Sequence, residues 1–167
     1  MPSAQSLYIG YDNGDFLRVV QLAGPYARNR TVLGAPDNAQ LAIQLVLNGA
    51  AGRTETWRFL DEGRTVVGER ITDNPTYDPR LRPWYLAAMA ENGRIITPPY
   101  IFASTGEVGV TLAQPASSGR NVVAADMTLT AVSHYLAELK QSWTYPVAVA
   151  VFDTDRQVIA TSQPLPE

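Results

Sequence analysis

The nine residues Tyr77-Asp-Pro-Arg-Leu-Arg-Pro-Trp-Tyr85 constrain the fold more than any other stretch of the chain. Three aromatics, two arginines and two prolines in so short a segment suit neither a plain core nor a plain surface. Each proline fixes φ and biases the residue before it towards an extended backbone, so Asp78 and Arg82 lie on a stiff path. Pro83 fits the first turn of a helix, where its missing N–H costs nothing, and Trp84 to Ala90 then read as a short helix stopped by Asn92-Gly93. Arg82, Trp84 and Tyr85 are thereby delivered to a helix N-terminus. Helix dipole, guanidinium and aromatic faces together suit a small ligand carrying a carboxylate.

The flanking sequence reads mainly as strands. Leu7 to Gly10 and Phe16 to Leu22 are apolar runs joined by Asp12-Asn13-Gly14-Asp15, a hairpin signal because Asn-Gly adopts positive φ cheaply. Gly24-Pro25 to Pro36 is polar and punctuated by Gly and Pro, so a loop is expected. Ala39 to Leu47 alternates at Leu41, Ile43, Leu45 and Leu47 and is read as a strand. Thr54 to Leu60 and Thr65 to Ile71 flank the turn Asp61-Glu62-Gly63. Ile95 to Ala103, Val108 to Ala113 and Asn121 to Ala125 add further strands. A second helix follows, with Leu129, Val132, Leu136 and Leu139 on one face and Thr128 or Thr130 as its cap. Val147 to Phe152 and Gln157 to Ala160, around an Asp-containing turn, repeat the opening hairpin. Two tandem modules are therefore expected, residues 1–142 complete and 143–167 the start of a second.

Composition removes several function classes. The thirteen Lys and Arg residues are scattered and include a single Lys, which disfavours nucleic-acid binding. There is no cysteine, and the one histidine, His134, cannot build a multi-histidine metal centre. It lies opposite the leucine stripe and reads as a solvated surface residue. No apolar run approaches the roughly 18 residues of a membrane-spanning helix, so the chain as given reads as soluble. Its abrupt start and Pro-rich end lead us to expect a piece of a longer protein whose targeting and anchoring segments lie elsewhere. There is no nucleophile elbow, phosphate-cradling glycine loop or zinc signature.

The Tyr77 to Tyr85 motif, followed by Pro99-Tyr100, Gly109-Val-Thr-Leu-Ala-Gln-Pro115 and Val122-Val-Ala-Ala-Asp126-Met-Thr-Leu129, resembles the membrane-distal module of double Cache sensor domains. The resemblance covers most of residues 6 to 140. It implies an α+β, PAS-like fold: an antiparallel sheet flanked by helices. It also implies the extracytoplasmic, periplasmic part of a bacterial inner-membrane receptor that binds a small molecule and relays occupancy to a cytoplasmic output domain. The opening Tyr8-Ile-Gly-Tyr-Asp-Asn-Gly-Asp-Phe16 looks most like sensors attached to adenylate or guanylate cyclases. One Cache subgroup binds amino acids through residues matched here by Tyr77, Arg82, Trp84, Tyr85, Tyr100 and Asp126. In that pattern arginine takes the carboxylate, aspartate the ammonium group, and the aromatics desolvate both. An amino acid, amine or carboxylate is the implied ligand. No cofactor is implied. The parent would be homodimeric, and the isolated piece monomeric or weakly dimeric.

Plainer readings stand beside these. Trp84 and Tyr85 also suit packing at the base of a helix, and Asp126 also suits a place beside a helix start. Of Arg80 and Arg82, one is expected to pair with Asp78 or a loop carbonyl and Arg82 to face the pocket. Arg28, Arg30 and Arg53 read as solvated loop charges. The competing functions are a non-binding dimerisation module using the Leu129 to Leu139 stripe, and a hydrolase pairing Asp61 or Glu62 with Asp126.

Overall fold

The Asp12 to Asp15 turn is built as its composition demands: Gly14 takes φ of 87°, and the Asn13 side chain accepts from the Asp15 N–H at 3.0 Å. It joins β1 (Ser6–Gly10) to β2 (Phe16–Gln21) in an antiparallel hairpin. The coordinates are a computed structural model in which residues 4–50, 52–117, 119–145, 147–152, 156 and 158–163 are described. The hairpin continues into β3 (Leu41–Gly49), β4 (Gly52–Leu60) and β5 (Val66–Asp73). After α2 (Pro83–Glu91) come β6 (Ile95–Ile96), β7 (Tyr100–Ile101), β8 (Val108–Pro115), β9 (Val122–Thr128) and α3 (Leu129–Gln141). One nine-stranded antiparallel sheet results, ordered β5-β4-β3-β2-β1-β9-β8-β6, with β7 also on β8.

Two stretches differ from the sequence reading. Within the expected 24–36 loop a short helix, α1 (Arg28–Leu33), buries Asn29 and Leu33 and ends at Gly34, whose φ of 64° only glycine adopts cheaply. The burial of Leu33 outweighs the polar composition. The single strand expected over 95–103 is split into β6 and β7, because Pro98 and Pro99 have no N–H to give to a sheet. β3 and the Thr128 cap of α3 match the reading, the Thr128 hydroxyl accepting from the Ala131 N–H at 3.1 Å. α3 packs on β8 and β9 and buries Leu136, and His134 is exposed. β10 (Ala150–Phe152) and β11 (Val158–Thr161) pair with each other in a separate two-stranded sheet.

Strand alternation puts three rows of side chains on one face of the large sheet. The first row is Asp126, Ser6, Val20, Ala42 and Phe59 on β9, β1, β2, β3 and β4. The second is Ala124, Tyr8, Arg18, Gln44 and Trp57, and the third is Val122, Gly10, Phe16, Val46 and Glu55. α2 covers the third row with Trp84, Tyr85 and Ala88, while Leu33 of α1 covers the first with Val20, Ala42 and Phe59. Between these apolar clusters runs a row that carries Arg18 and Gln44. The polar row under two separate covers is where a site forms.

The 77–85 loop is fixed from outside. Arg53, read from sequence as a solvated charge, lies on β4 and donates to the Gly14 carbonyl at 2.8 Å and the Tyr77 carbonyl at 2.6 Å. It ties the first hairpin turn to the loop. Asp78 accepts from the Arg80 N–H at 2.9 Å and pairs with the Arg80 guanidinium at 2.7 Å; those bonds hold its carboxyl below the usual range. Gly10 lets β1 pass directly beneath the loop: a Cβ there would lie 2.8 Å from both Pro79 Cβ and Trp84 Cη2. Gly10→Ala is therefore expected to cost about 1–3 kcal/mol through overpacking, measured as a lower urea midpoint with unchanged m-value.

Candidate functional site

A cavity of about 270 Å³ lies over the second row, between α1 and the 77–85 loop. Five of the six residues singled out in the sequence line it: Tyr77, Arg82, Trp84, Tyr100 and Asp126. Tyr85 does not. Its ring packs edge-on against Trp84 at 5.6 Å between centroids, and its hydroxyl donates to the Arg120 carbonyl at 2.6 Å. Tyr85 thus backs Trp84 instead of meeting the cavity.

Pro83 at the first helical position starts α2 directly after Arg82, whose extended backbone (φ −89°, ψ 143°) turns its side chain off the helix axis. The guanidinium lies 5.8 Å from the centre of the Tyr77 ring. Among the described residues no carboxylate pairs with it. Arg80, by contrast, is spent on Asp78, so the expected division between the two arginines is the one found. Burial pushes the Tyr77 hydroxyl up to about 12, so that it stays neutral.

Asp126 sits on the first row at the other side of the cavity. Its Oδ1 accepts from the Tyr8 hydroxyl at 2.5 Å and the Thr111 hydroxyl at 2.6 Å; its Oδ2 accepts from Ser6 at 2.9 Å and Arg18 at 3.2 Å. Those four donors fill the acceptor positions of a carboxylate. The Tyr100 and Thr111 hydroxyls lie 2.7 Å apart; with the Thr111 proton directed to Asp126, Tyr100 donates to Thr111. Tyr100 keeps lone pairs free to accept from a ligand. Burial, then the Asp126 charge, raises the Tyr8 and Tyr100 hydroxyls above their ordinary range, so both remain proton donors at neutral pH.

The residue that sequence reasoning missed is Arg18. Its side chain is 8% exposed and pairs with Asp126, 5% exposed. It also donates to Ser104 at 2.5 Å, on the loop between β7 and β8, and lies 5.7 Å from the Tyr8 ring centre. Alternation through Phe16, Arg18 and Val20 could have flagged it, since a charge between two inward-facing apolar residues needs a partner. Gln44, between Ala42 and Val46, was missed for the same reason; Glu55, between Arg53 and Trp57 on its face of β4, carries no such signal. Asp61 and Glu62 lie in the β4–β5 turn, do not line the cavity, and so are not brought to Asp126 as a carboxylate pair there.

The long antiparallel sheet, with α1 and α2 over one face and an aromatic-walled cavity between them, has the fold of Cache-type, PAS-like sensor domains. Comparison with known proteins gives the particulars. The chain is 32% identical over 138 residues to adenylate cyclase 1 of Rhizobium meliloti, a match covering 81% of this chain and 20% of that protein. It is 43% identical over 81 residues to the methyl-accepting chemotaxis protein McpB of Bacillus subtilis, covering 48% of this chain and 12% of that protein. The ligand-binding domain of the Pseudomonas fluorescens chemoreceptor CtaA, in complex with L-serine, superposes with a TM-score of 0.50 at 19% identity, over 94% of this chain and 47% of that one. No protein-family model matches. The chain spans a fifth or less of the length of these two curated relatives.

Proposed function

We propose that this chain is the small-molecule-sensing part of an extracytoplasmic receptor region, taking a carboxylate or amino-acid-like ligand and relaying occupancy to a cytoplasmic output domain such as a nucleotide cyclase. The observation that carries this reading is the Arg82 guanidinium on the cavity wall with no acidic partner among the described residues, flanked by Tyr77 and Trp84. A carboxylate there gains charge-assisted hydrogen bonds in a cavity walled by aromatic rings.

In this reading Tyr77, Arg82, Trp84, Tyr100 and Asp126 contact or polarise the ligand, and Tyr85 acts by fixing Trp84. An ammonium group beside the carboxylate donates to the Tyr100 oxygen. The Asp126 charge reaches it through the Tyr100–Thr111–Asp126 chain, not by direct contact. Signalling follows from differential affinity: a ligand bridging the 77–85 loop and the β8–β9 side favours the arrangement that brings them together, and only that preference biases an output. Residues 143–167 are read as the start of a second module, the parent as a membrane-anchored homodimer, and the isolated piece as a monomer or weak dimer. Among the described residues no helix is long and apolar enough to cross a membrane.

The CtaA domain was solved with L-serine, which makes amino acids the first compounds to screen. A thermal-shift screen over amino acids, amines and carboxylates is expected to yield carboxylate-bearing stabilisers; at 100 times its Kd a ligand adds about 2.7 kcal/mol. A screen in which only amines without a carboxylate stabilise, or nothing does, rejects the assignment of Arg82.

A further inference from the structure

The cavity is lined by four charged side chains, Arg18, Glu55, Arg82 and Asp126. Arg18 and Asp126 neutralise each other, which leaves one cation and one anion uncommitted. The anion is Glu55 on β4. Its Oε1 accepts from the Gln44 amide at 2.6 Å, and no arginine or lysine among the described residues forms an ion pair with it. Besides Arg18, two arginines share its face of the sheet, and both are held elsewhere. Arg53 is spent on the Gly14 and Tyr77 carbonyls, while Arg70, 5.8 Å from the Trp57 ring centre, donates to the Leu33 carbonyl at 2.9 Å.

Glu55 and Asp126 are at opposite ends of the site. From β9 to β4 the order across the sheet is β9, β1, β2, β3, β4, four inter-strand steps of about 4.8 Å, so the backbones that carry them are separated by about 19 Å across the sheet, with the offset between the first and third rows in addition. An ammonium group held on the Asp126 side through Tyr100 therefore cannot also reach Glu55. Trp57 walls the cavity beside Glu55, and Gln44 orients the carboxylate.

Building on the assignment of Arg82 to a ligand carboxylate, we propose that Glu55 and Trp57 form a second subsite for a cationic group at the far end of the ligand. The preferred ligand is then a carboxylate with a distal ammonium, an ω-amino acid or a basic amino acid, and Glu55 determines that specificity.

Two matched pairs of probes test this by calorimetry: 5-aminopentanoate against pentanoate, and L-lysine against L-norleucine. The amine-bearing member of each pair is expected to bind about 10-fold or more tightly, one charge-assisted hydrogen bond being enough for that factor. Glu55→Gln preserves shape and the contact with Gln44, and is expected to remove the preference while leaving pentanoate and L-norleucine unchanged. Equal affinities within both pairs overturn the inference, as does a preference that survives in Glu55→Gln. The wild-type comparison stands even if the variant folds poorly. Failure of the underlying reading looks different: no carboxylate then binds at all, or Arg82→Ala leaves pentanoate binding intact.

Discussion

Arg82→Ala is expected to weaken a carboxylate ligand roughly 30-fold to 1000-fold, because it removes charge-assisted hydrogen bonds of about 1.5–3 kcal/mol each and leaves the anion without its cationic partner. The variant should fold. Arg82 serves the fold through its backbone, its N–H donating to the Pro79 carbonyl and its own carbonyl accepting from Tyr85 and Leu86. All of these survive truncation of the side chain. Pro83 still opens α2, and Trp84 is still backed by Tyr85. The loss should therefore be confined to binding, with the urea midpoint close to wild type. Calorimetry with the best carboxylate from the screen reads the effect directly. Unchanged affinity would take the carboxylate away from Arg82 and leave Trp84 and Tyr85 as core residues only.

What the sequence could and could not disclose follows from how local each determinant is. The 77–85 loop carries its own geometry: two prolines, the Asp78 side chain on the Arg80 N–H and Pro83 at a helix start all act within a few residues. The choice between Arg80 and Arg82 was legible for the same reason, since the partner of Arg80 is two residues away. Hairpins around Asn13-Gly14 and Glu62-Gly63 are equally local. Arg18 is the opposite case. Its partner Asp126 lies 108 residues along the chain, and only the pairing of β1 with both β2 and β9 brings them together. Arg53 shows a similar failure: polar neighbours suggested solvent, yet its carbonyl partners lie 39 and 24 residues away. Tyr85 matches the Trp-Tyr pair of the Cache pattern and lies at the helix N-terminus, yet it does not line the cavity. A helix turns by 100° per residue, so adjacent side chains face different ways.

Breaking the pair between Arg18 and Asp126 is expected to have the largest effect on stability. Asp126→Ala leaves a guanidinium unpaired in the interior and removes the acceptor of Ser6, Tyr8 and Thr111 together, a loss of about 3–5 kcal/mol. Against a typical stability of about 5–15 kcal/mol this is a large fraction. Arg18→Met is milder, because the carboxylate keeps three hydroxyl donors while the side chain's apolar volume is nearly preserved. The double variant should be more stable than the sum of the single losses predicts, by about 1–3 kcal/mol, since the second substitution removes the charge that the first left stranded. Urea unfolding of the four proteins at one pH reads this coupling; additivity within about 0.5 kcal/mol would mean that the two charges do not depend on each other. Binding supplies a second axis. Arg18 also holds Ser104 and so one wall of the cavity, whence Arg18→Met should weaken every ligand by a similar factor, unlike Arg82→Ala, which discriminates against carboxylates. If Arg18→Met instead strengthens ligands bearing an ammonium group next to their carboxylate, Asp126 is a latent amine site that Arg18 keeps closed, and the neutral pair is a determinant of ligand class as well as of stability.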